Sequence, residues 1–497
     1  MQNTKKSKQL EKIYKDFDVL VTDTQDMGVS SCRVDTIERN ILKSLMKLGF
    51  DLLKLAILSR HIKLEEQGSP QVSGVLKNKG LCFRAYGSIF GEMAVPHRKY
   101  HIVGQGTYYP LDEELALPPE KHSYVLQDWM SRGSTELDYR QSVELLNEIL
   151  GLNLNGVQSK YHSNELGKQV DDFYDAQAVV EVATDNYLCV EWDGKGVPII
   201  KEAQADSKTS VVARLKKGQK RGVKKMATVS VVSDFKPKIR SKDSIIRGLF
   251  KSPLTPLERK KKELALEVVH SPNNNWHEHI HRRAFLAQQD EAIDYGLGLA
   301  KKRMQGKDVP IVALVDGGPG LEDSIRAKLK AQHMEHQLAY IILDIVHVSE
   351  YVWKAGNAIL GESSELRTAW VRTVLSDILD GEIAQVIDDL KDNLEKTNLS
   401  ESAKKLLKKT ITYFTNHQHK MDYKTYLDKG MPVSTALVES SCGHLVKDRM
   451  ERSGMRWSMQ GAQNMMDARA AKKNGDWADF MEFIIHRNQK KYHQKAA

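Results

Sequence analysis

Two apolar runs end in the dipeptide Asp-Gly, LCVEWDG at Asp193 and IVALVDG at Asp316, and they constrain the fold more than any other feature of the chain. Each aspartate follows four or five residues dominated by strand formers, which reads as a buried strand ending at the aspartate. Around the second run, a helix (about Asp290–Met304), a strand (Val309–Val315), a helix (Leu321–His333) and a strand (Leu338–Val346) alternate, which implies α/β layering. A carboxylate at the carboxyl edge of such a strand, with glycine after it, can reach into an open crevice. On adjacent strands, two of them would hold like charges a few ångströms apart, an arrangement that a divalent cation between them relieves. Donors that are all oxygen select Mg²⁺ or Mn²⁺ over zinc, and two such ions suit phosphodiester chemistry. Asp-Gly also closes ordinary turns, so either aspartate taken singly reads first as a turn residue.

A third carboxylate, Glu439, stands on a helix expected over Val433–Met450, beside the apolar side formed by Val438, Cys442, Leu445 and Val446. Such a carboxylate needs a partner: a metal, or an ordinary salt bridge to Lys447 or Arg449. IILDIVHVSEYVWKA offers Asp344 as the rival to Asp316 for second metal ligand. In the same segment His347 reads either as a group that orients a carboxylate or touches phosphate, or as a satisfied core histidine. The histidines of HEHIHRR (His277, His279, His281) have an alternating spacing that suggests zinc, but they lie in polar sequence without a nearby cysteine and read as surface.

At 497 residues the chain exceeds one ordinary core, so two to four domains are expected. Apolar positions from Arg33 to about Ile62 step by three and four, which predicts a long helix; packing on neighbouring helices is favoured over a dimer seam. From Gly80 the pattern turns to short hairpin strands closed by Pro110, Pro118 and Pro119. Helical runs at Ser123–Arg132, Thr135–Leu150 and Asn155–Gly167 then suit either a helix-turn-helix or a plain three-helix unit. Arg214, Lys216, Lys217, Lys220, Arg221, Lys224 and Lys225 crowd a loop before a strand at Met226–Asp234, which reads equally as a solvated loop or a phosphate-facing one. A polar segment (Lys236–Asn275) with an exposed helix near Arg259–Lys262 follows, and Thr368 to about Phe414 is uniformly helical. Lys plus Arg number 74 against 65 Asp plus Glu, a net charge of +9 that is compatible with a polyanionic partner. Cys32, Cys82, Cys189 and Cys442 form no CxxC pair, which excludes a disulfide scaffold and a cysteine zinc finger and fits a reducing cytosol. With no signal peptide or bilayer-spanning run, a soluble intracellular protein is expected.

The C-terminal block ALVESSCGHLVKDRMERSGMRWSMQGAQNMMDARA, followed by NGDWADF, resembles the signature of the ISKra-type insertion-sequence transposases. VEWDGKGVPI with KKMATVSVV, VALVDG, ILDIVHVSEYVWKA and the upstream YHIVGQGTYYPLDEELALPPE resemble that family's other blocks in the same order. The resemblance spans about Gly80–Phe480 and implies an α/β fold: an RNase H-like mixed-sheet catalytic core (176–360 and 431–497) with a helical insertion (361–430). Ahead of it are expected a helical region (1–79), a small β module (80–118) and a helix-turn-helix-like DNA-binding domain (119–175). Carried over by motif, the catalytic and metal-binding residues are Asp193, Asp316 and Glu439, holding two Mg²⁺ or Mn²⁺ ions and no zinc. DNA contacts are expected from the Arg214–Lys225 loop and from Lys447, Arg449 and Arg456. The implied partners are the element's terminal repeats and target DNA, bound by a dimer or larger assembly in the bacterial cytosol. Family members carry a CxxC where this chain has His101-Ile102-Val103-Gly104, so the hairpin module must hold by packing alone. The alternatives are a nuclease on the same fold without strand transfer, and a non-catalytic DNA-binding descendant.

Overall fold

The computed structural model describes residues 2–72, 74–200, 223–250, 276–396 and 399–496. The chain divides into two compact units, Met1–Ala176 with Asp467–Ala497, and Gln177–Met466.

In the first unit, two long helices, α1 (Gln2–Val29) and α2 (Val34–Gln67), pack together. Buried Asp51 of α2 accepts from Lys12 Nζ at 2.6 Å and Gln9 Nε2 at 2.9 Å. The strands β1 (Leu76–Ser88), β2 (Gly91–Ile102) and β3 (Gly106–Tyr108) then form an antiparallel meander, followed by the short helix α3 (Pro110–Glu114). Tyr100, Ile102 and Tyr108 form a small apolar cluster across β2 and β3. Next come α4 (Tyr124–Glu136), α5 (Tyr139–Leu150), α6 (Gly156–Gly167) and α7 (Val170–Ala176). Local chemistry sets their starts, with Ser123, Asp138 and Asn155 each capping free backbone N–H groups by side-chain oxygen. Where α4, α5 and α6 meet, Ser134, Ser142 and Ser159 let the backbones approach and bond one another through their hydroxyls.

The second unit is built on a five-stranded sheet: β4 (Tyr187–Ile199), β5 (Val223–Phe235), β6 (His277–Leu286), β7 (Ile311–Val315) and β8 (Leu338–Leu343). The order is β6-β5-β4-β7-β8, antiparallel across the first three strands and parallel from β4 through β7 to β8. After β5 comes α8 (Lys242–Leu249), and α9 (Gln289–Met304) and α10 (Leu321–Ala331) make the crossovers. Even-numbered residues of β4 face α9, where Trp192 Nε1 donates to the Ala292 carbonyl at 3.1 Å. The helices α11 (Ile345–Leu360), α12 (Leu366–Leu379), α13 (Ile383–Lys396), α14 (Glu401–His417) and α15 (Tyr423–Asp428) share one apolar core with the sheet. The expected helical insertion is therefore packed into the core, through residues such as Val371, Leu407 and Phe414. The glutamate segment follows as α16 (Ala436–Ser441), a π-helical turn (Cys442–Lys447) and the single turn α17 (Asp448–Met450), where the sequence predicts one continuous helix. Last come α18 (Met459–Lys473) and α19 (Trp477–Ala496).

Two expectations are corrected, and one strand appears that the sequence reading did not foresee. Strand β4 does not end at Asp193: Gly194–Ile199 continue in register with Thr228–Val223 of β5, and Trp457 pairs with Ile199 beyond. HEHIHRR, read as surface, forms strand β6 at the sheet's edge, with Glu278 and His279 exposed and Arg283 buried. Asp467–Ala497 groups with the first unit, because Trp477, Phe480 and Ile484 pack on Leu166, Val170 and Phe173.

Candidate functional site

Parallel pairing of β4 with β7 stops at Glu191↔Leu314, so Asp193 and Asp316 both lie just past the carboxyl end of that ladder. Each aspartate is held locally by a backbone N–H that follows it. Gly194 N–H donates to Asp193 Oδ1 at 2.6 Å, and Gly318 N–H donates to Asp316 Oδ1 at 2.8 Å. The Asp316 carbonyl also accepts from Tyr413 Oη of α14 at 3.0 Å. Between them Gly317 (φ +83) has no room for a side chain, since a Cβ there would meet Tyr413 Oη at 2.8 Å and Leu343 Cδ1 at 3.0 Å.

Asp344 ends β8 and caps α11, and it is completely buried. Its carboxylate accepts from the N–H groups of Val346 (3.2 Å), His347 (3.1 Å) and Thr435 (3.1 Å), and from His347 Nδ1 at 2.7 Å. So many donors make it an anchor joining α11 to the chain entering α16. His347 is held charged, its pKa raised to about 9 by the Asp344 hydrogen bond and further by Asp316 and Glu350. Glu439 on α16 lies on the solvent side, 4.0 Å from His347 Nδ1. Partial burial raises its pKa, and Asp344 and Asp193 push it the same way. One donor atom each of Asp344, His347 and Glu439 comes within 4.8 Å of the others; Asp193 and Asp316 fall outside that group but act on its members through their charge. Cys442, in the π turn, faces Asp193, and burial together with that carboxylate raises its thiol pKa.

Sequence reasoning missed Glu191. It is completely buried on the Asp193 face of β4 and accepts from Val438 N–H, the residue before Glu439, at 3.1 Å. Burial raises its pKa to about 8. A glutamate inside the otherwise apolar run LCVEWDG was the available signal.

Of the basic residues expected to touch DNA, Arg214, Lys216, Lys217, Lys220 and Arg221 lie outside the described residues, as does the Arg259–Lys262 segment. Lys225 is exposed on β5, and Lys224 is exposed there with a 2.7 Å ion pair to Glu451. Lys447 and Arg456 are exposed, but Arg449 is fully buried under the Trp457 ring, 4.9 Å from its centroid. That position suits a packing cation rather than a phosphate contact, and neither Lys447 nor Arg449 makes an ion pair to Glu439 among the described residues. The tryptophan carrying this contact belongs to the motif GMRW, and its backbone bonds Pro198 and Ile200 at the far end of β4. No helix among the described residues is long and apolar enough to cross a membrane.

The donor set at this edge is mainly carboxylate oxygen, crowded enough that Glu439 holds its proton more tightly than a free glutamate and His347 stays charged. Hard, oxygen-preferring cations fit such a set. No protein-family model matches the chain, and no curated protein sequence matches it.

Proposed function

We propose that the chain is a DDE-type transposase, which cleaves DNA at the ends of its element and joins the freed 3′-OH to target DNA. The carrying observation is that β4, β7 and α16 direct Asp193, Asp316 and Glu439 to one sheet edge, where their charges couple through His347 and Asp344. Three antiparallel strands followed by two parallel ones support an RNase H-like core. Three capped helices, α4 to α6, support a helix-turn-helix-like reader, with Val157, Lys160 and Tyr161 on the exposed face of α6.

Asp193, Asp316 and Glu439 are the residues that would hold Mg²⁺ or Mn²⁺, which when bound supplies Lewis-acid activation of the attacking oxygen and neutralises charge at phosphorus. The chain's own groups do the positioning. Tyr413 fixes the Asp316 backbone, Asp344 fixes the approach of α16, and Glu191 fastens Val438 beside Glu439. Protonated His347 brings a positive charge to the same edge, suited to a phosphate oxygen. No covalent intermediate on protein is required, so neither serine nor tyrosine is assigned as nucleophile.

The deciding experiment supplies pre-cleaved element ends, a target plasmid and Mg²⁺. Joined products that disappear with Asp193→Ala are expected. Cleavage without joining would make the protein a nuclease on this fold, and no Mg²⁺-dependent chemistry would make it a DNA-binding descendant.

A further inference from the structure

Cys189 and Glu191 lie on the same face of β4, both completely buried, and Cys189 pairs with Ser233 of β5. The next strand, β6, carries a bulge at His279 (φ +44), where the register shifts between Val232 and Asp234. A bulge re-aims the side chains beyond it. His281 faces α9, with Nε2 2.7 Å from Tyr295 Oη, whereas His277 is turned to the opposite face, with Nδ1 2.9 Å from Ser233 Oγ. The thiol, the carboxylate and the imidazole of Cys189, Glu191 and His277 each offer a donor atom within 4.8 Å of the other two.

Neighbours already orient this trio. Val438 N–H occupies Glu191 Oε2, leaving Oε1 3.7 Å from Cys189 Sγ, and Ser233 fixes the His277 ring. Arg282 also acts on Glu191, but its Nε donates to Ser441 Oγ at 3.1 Å. A thiol is a weak donor, a poor match for a buried carboxyl group. His277 is only half-buried and lies on the edge strand, which gives an ion a way in.

We propose that Cys189, Glu191 and His277 form a Zn²⁺ site, with water completing the coordination. Sulfur, imidazole and carboxylate together are a zinc donor set, while Mg²⁺ keeps to oxygen. Binding releases the thiol proton and the carboxyl proton, so a dication is balanced by two anions in the buried site. The ion cross-links β4 to the edge strand β6 and, through Glu191, steadies the turn before Glu439. It differs in donor type from the carboxylate edge, and the inference stands independently of the proposed function.

The test uses the purified full-length chain, stripped by chelator and titrated with Co²⁺ as a spectroscopic stand-in for zinc. A thiolate-to-cobalt charge-transfer band discharged by Zn²⁺ is expected. It should vanish in Cys189→Ser, need about tenfold more metal or worse in His277→Gln, and persist in Cys442→Ser and Asp193→Asn. Zn²⁺ should raise the thermal midpoint of the wild type and leave that of His277→Gln unmoved. The half-buried His277 keeps the test decisive should Cys189→Ser fail to fold. Absence of the band from the wild type, its survival in His277→Gln at unchanged affinity, or its loss with Cys442→Ser would overturn the proposal.

Discussion

His347 keeps its proton because Asp344 accepts from Nδ1 at 2.7 Å, and that single bond sets how the carboxylate edge responds to pH. Its folded pKa of about 9 lies above the ordinary imidazole value of 6.5, so the stabilisation is complete below about pH 6.5 and fades as pH rises through about 9. An imidazole resonance titrating near pH 9, absent from His347→Gln, is the expected NMR signature. Glu191 works in the same direction: with its pKa raised from 4.5 to about 8, its protonated form stabilises fully below about pH 4.5 and is lost through about pH 8. Glu191→Gln should therefore flatten the pH dependence of urea unfolding between those limits. Asp344→Ala removes a buried carboxylate from three backbone donors and an imidazolium, and about 3–5 kcal/mol should be lost in the same measurement. At this scale Asp193, Asp316, Asp344, His347 and Glu439 could each be singled out from the sequence. Their division of labour was not, because only the folded chain shows Asp344 saturated by donors from Thr435 and His347.

Strand β7 was readable because burial on both faces writes itself as an unbroken apolar run, and β8 because its second half, Ile341–Leu343, is buried in the same way. Strand β6 was not: an edge strand with a bulge alternates polar residues, and HEHIHRR looks like a loop until its neighbour β5 is in place. Nor does apolar periodicity reveal the π turn at Cys442–Lys447, which leaves Val438, Cys442, Leu445 and Val446 buried just as a regular helix would. The link from β7 to α10 depends on backbone conformation as much as on chemistry. Gly317→Ala forces a side chain onto φ +83 against Tyr413 and Leu343, and the backbone term alone should cost about 1–2 kcal/mol in chemical denaturation.

Two units share one chain, and the first is completed by residues from the far end of the sequence. Local patterning placed the start of α4, the end of α5 and both ends of α6, where Ser123 and Asn155 are short-range capping signals, but it set the break between α4 and α5 about four residues early and gave Thr135 to the wrong helix. The docking of Trp477 and Phe480 on Phe173 is a long-range contact with no local mark. Phe480→Ala should cost about 3–5 kcal/mol, confined to the unfolding transition of that unit, when calorimetry follows both. The central claim is that Asp193, Asp316 and Glu439 jointly hold a divalent cation at the carboxyl edge of the sheet. Mn²⁺ binding followed by electron paramagnetic resonance tests it without knowledge of any DNA substrate. The account predicts binding to the wild type that is lost in Asp193→Asn, Asp316→Asn and Glu439→Gln. Unchanged Mn²⁺ affinity in all three, or loss with Asp344→Asn while Asp316→Asn still binds, would contradict it.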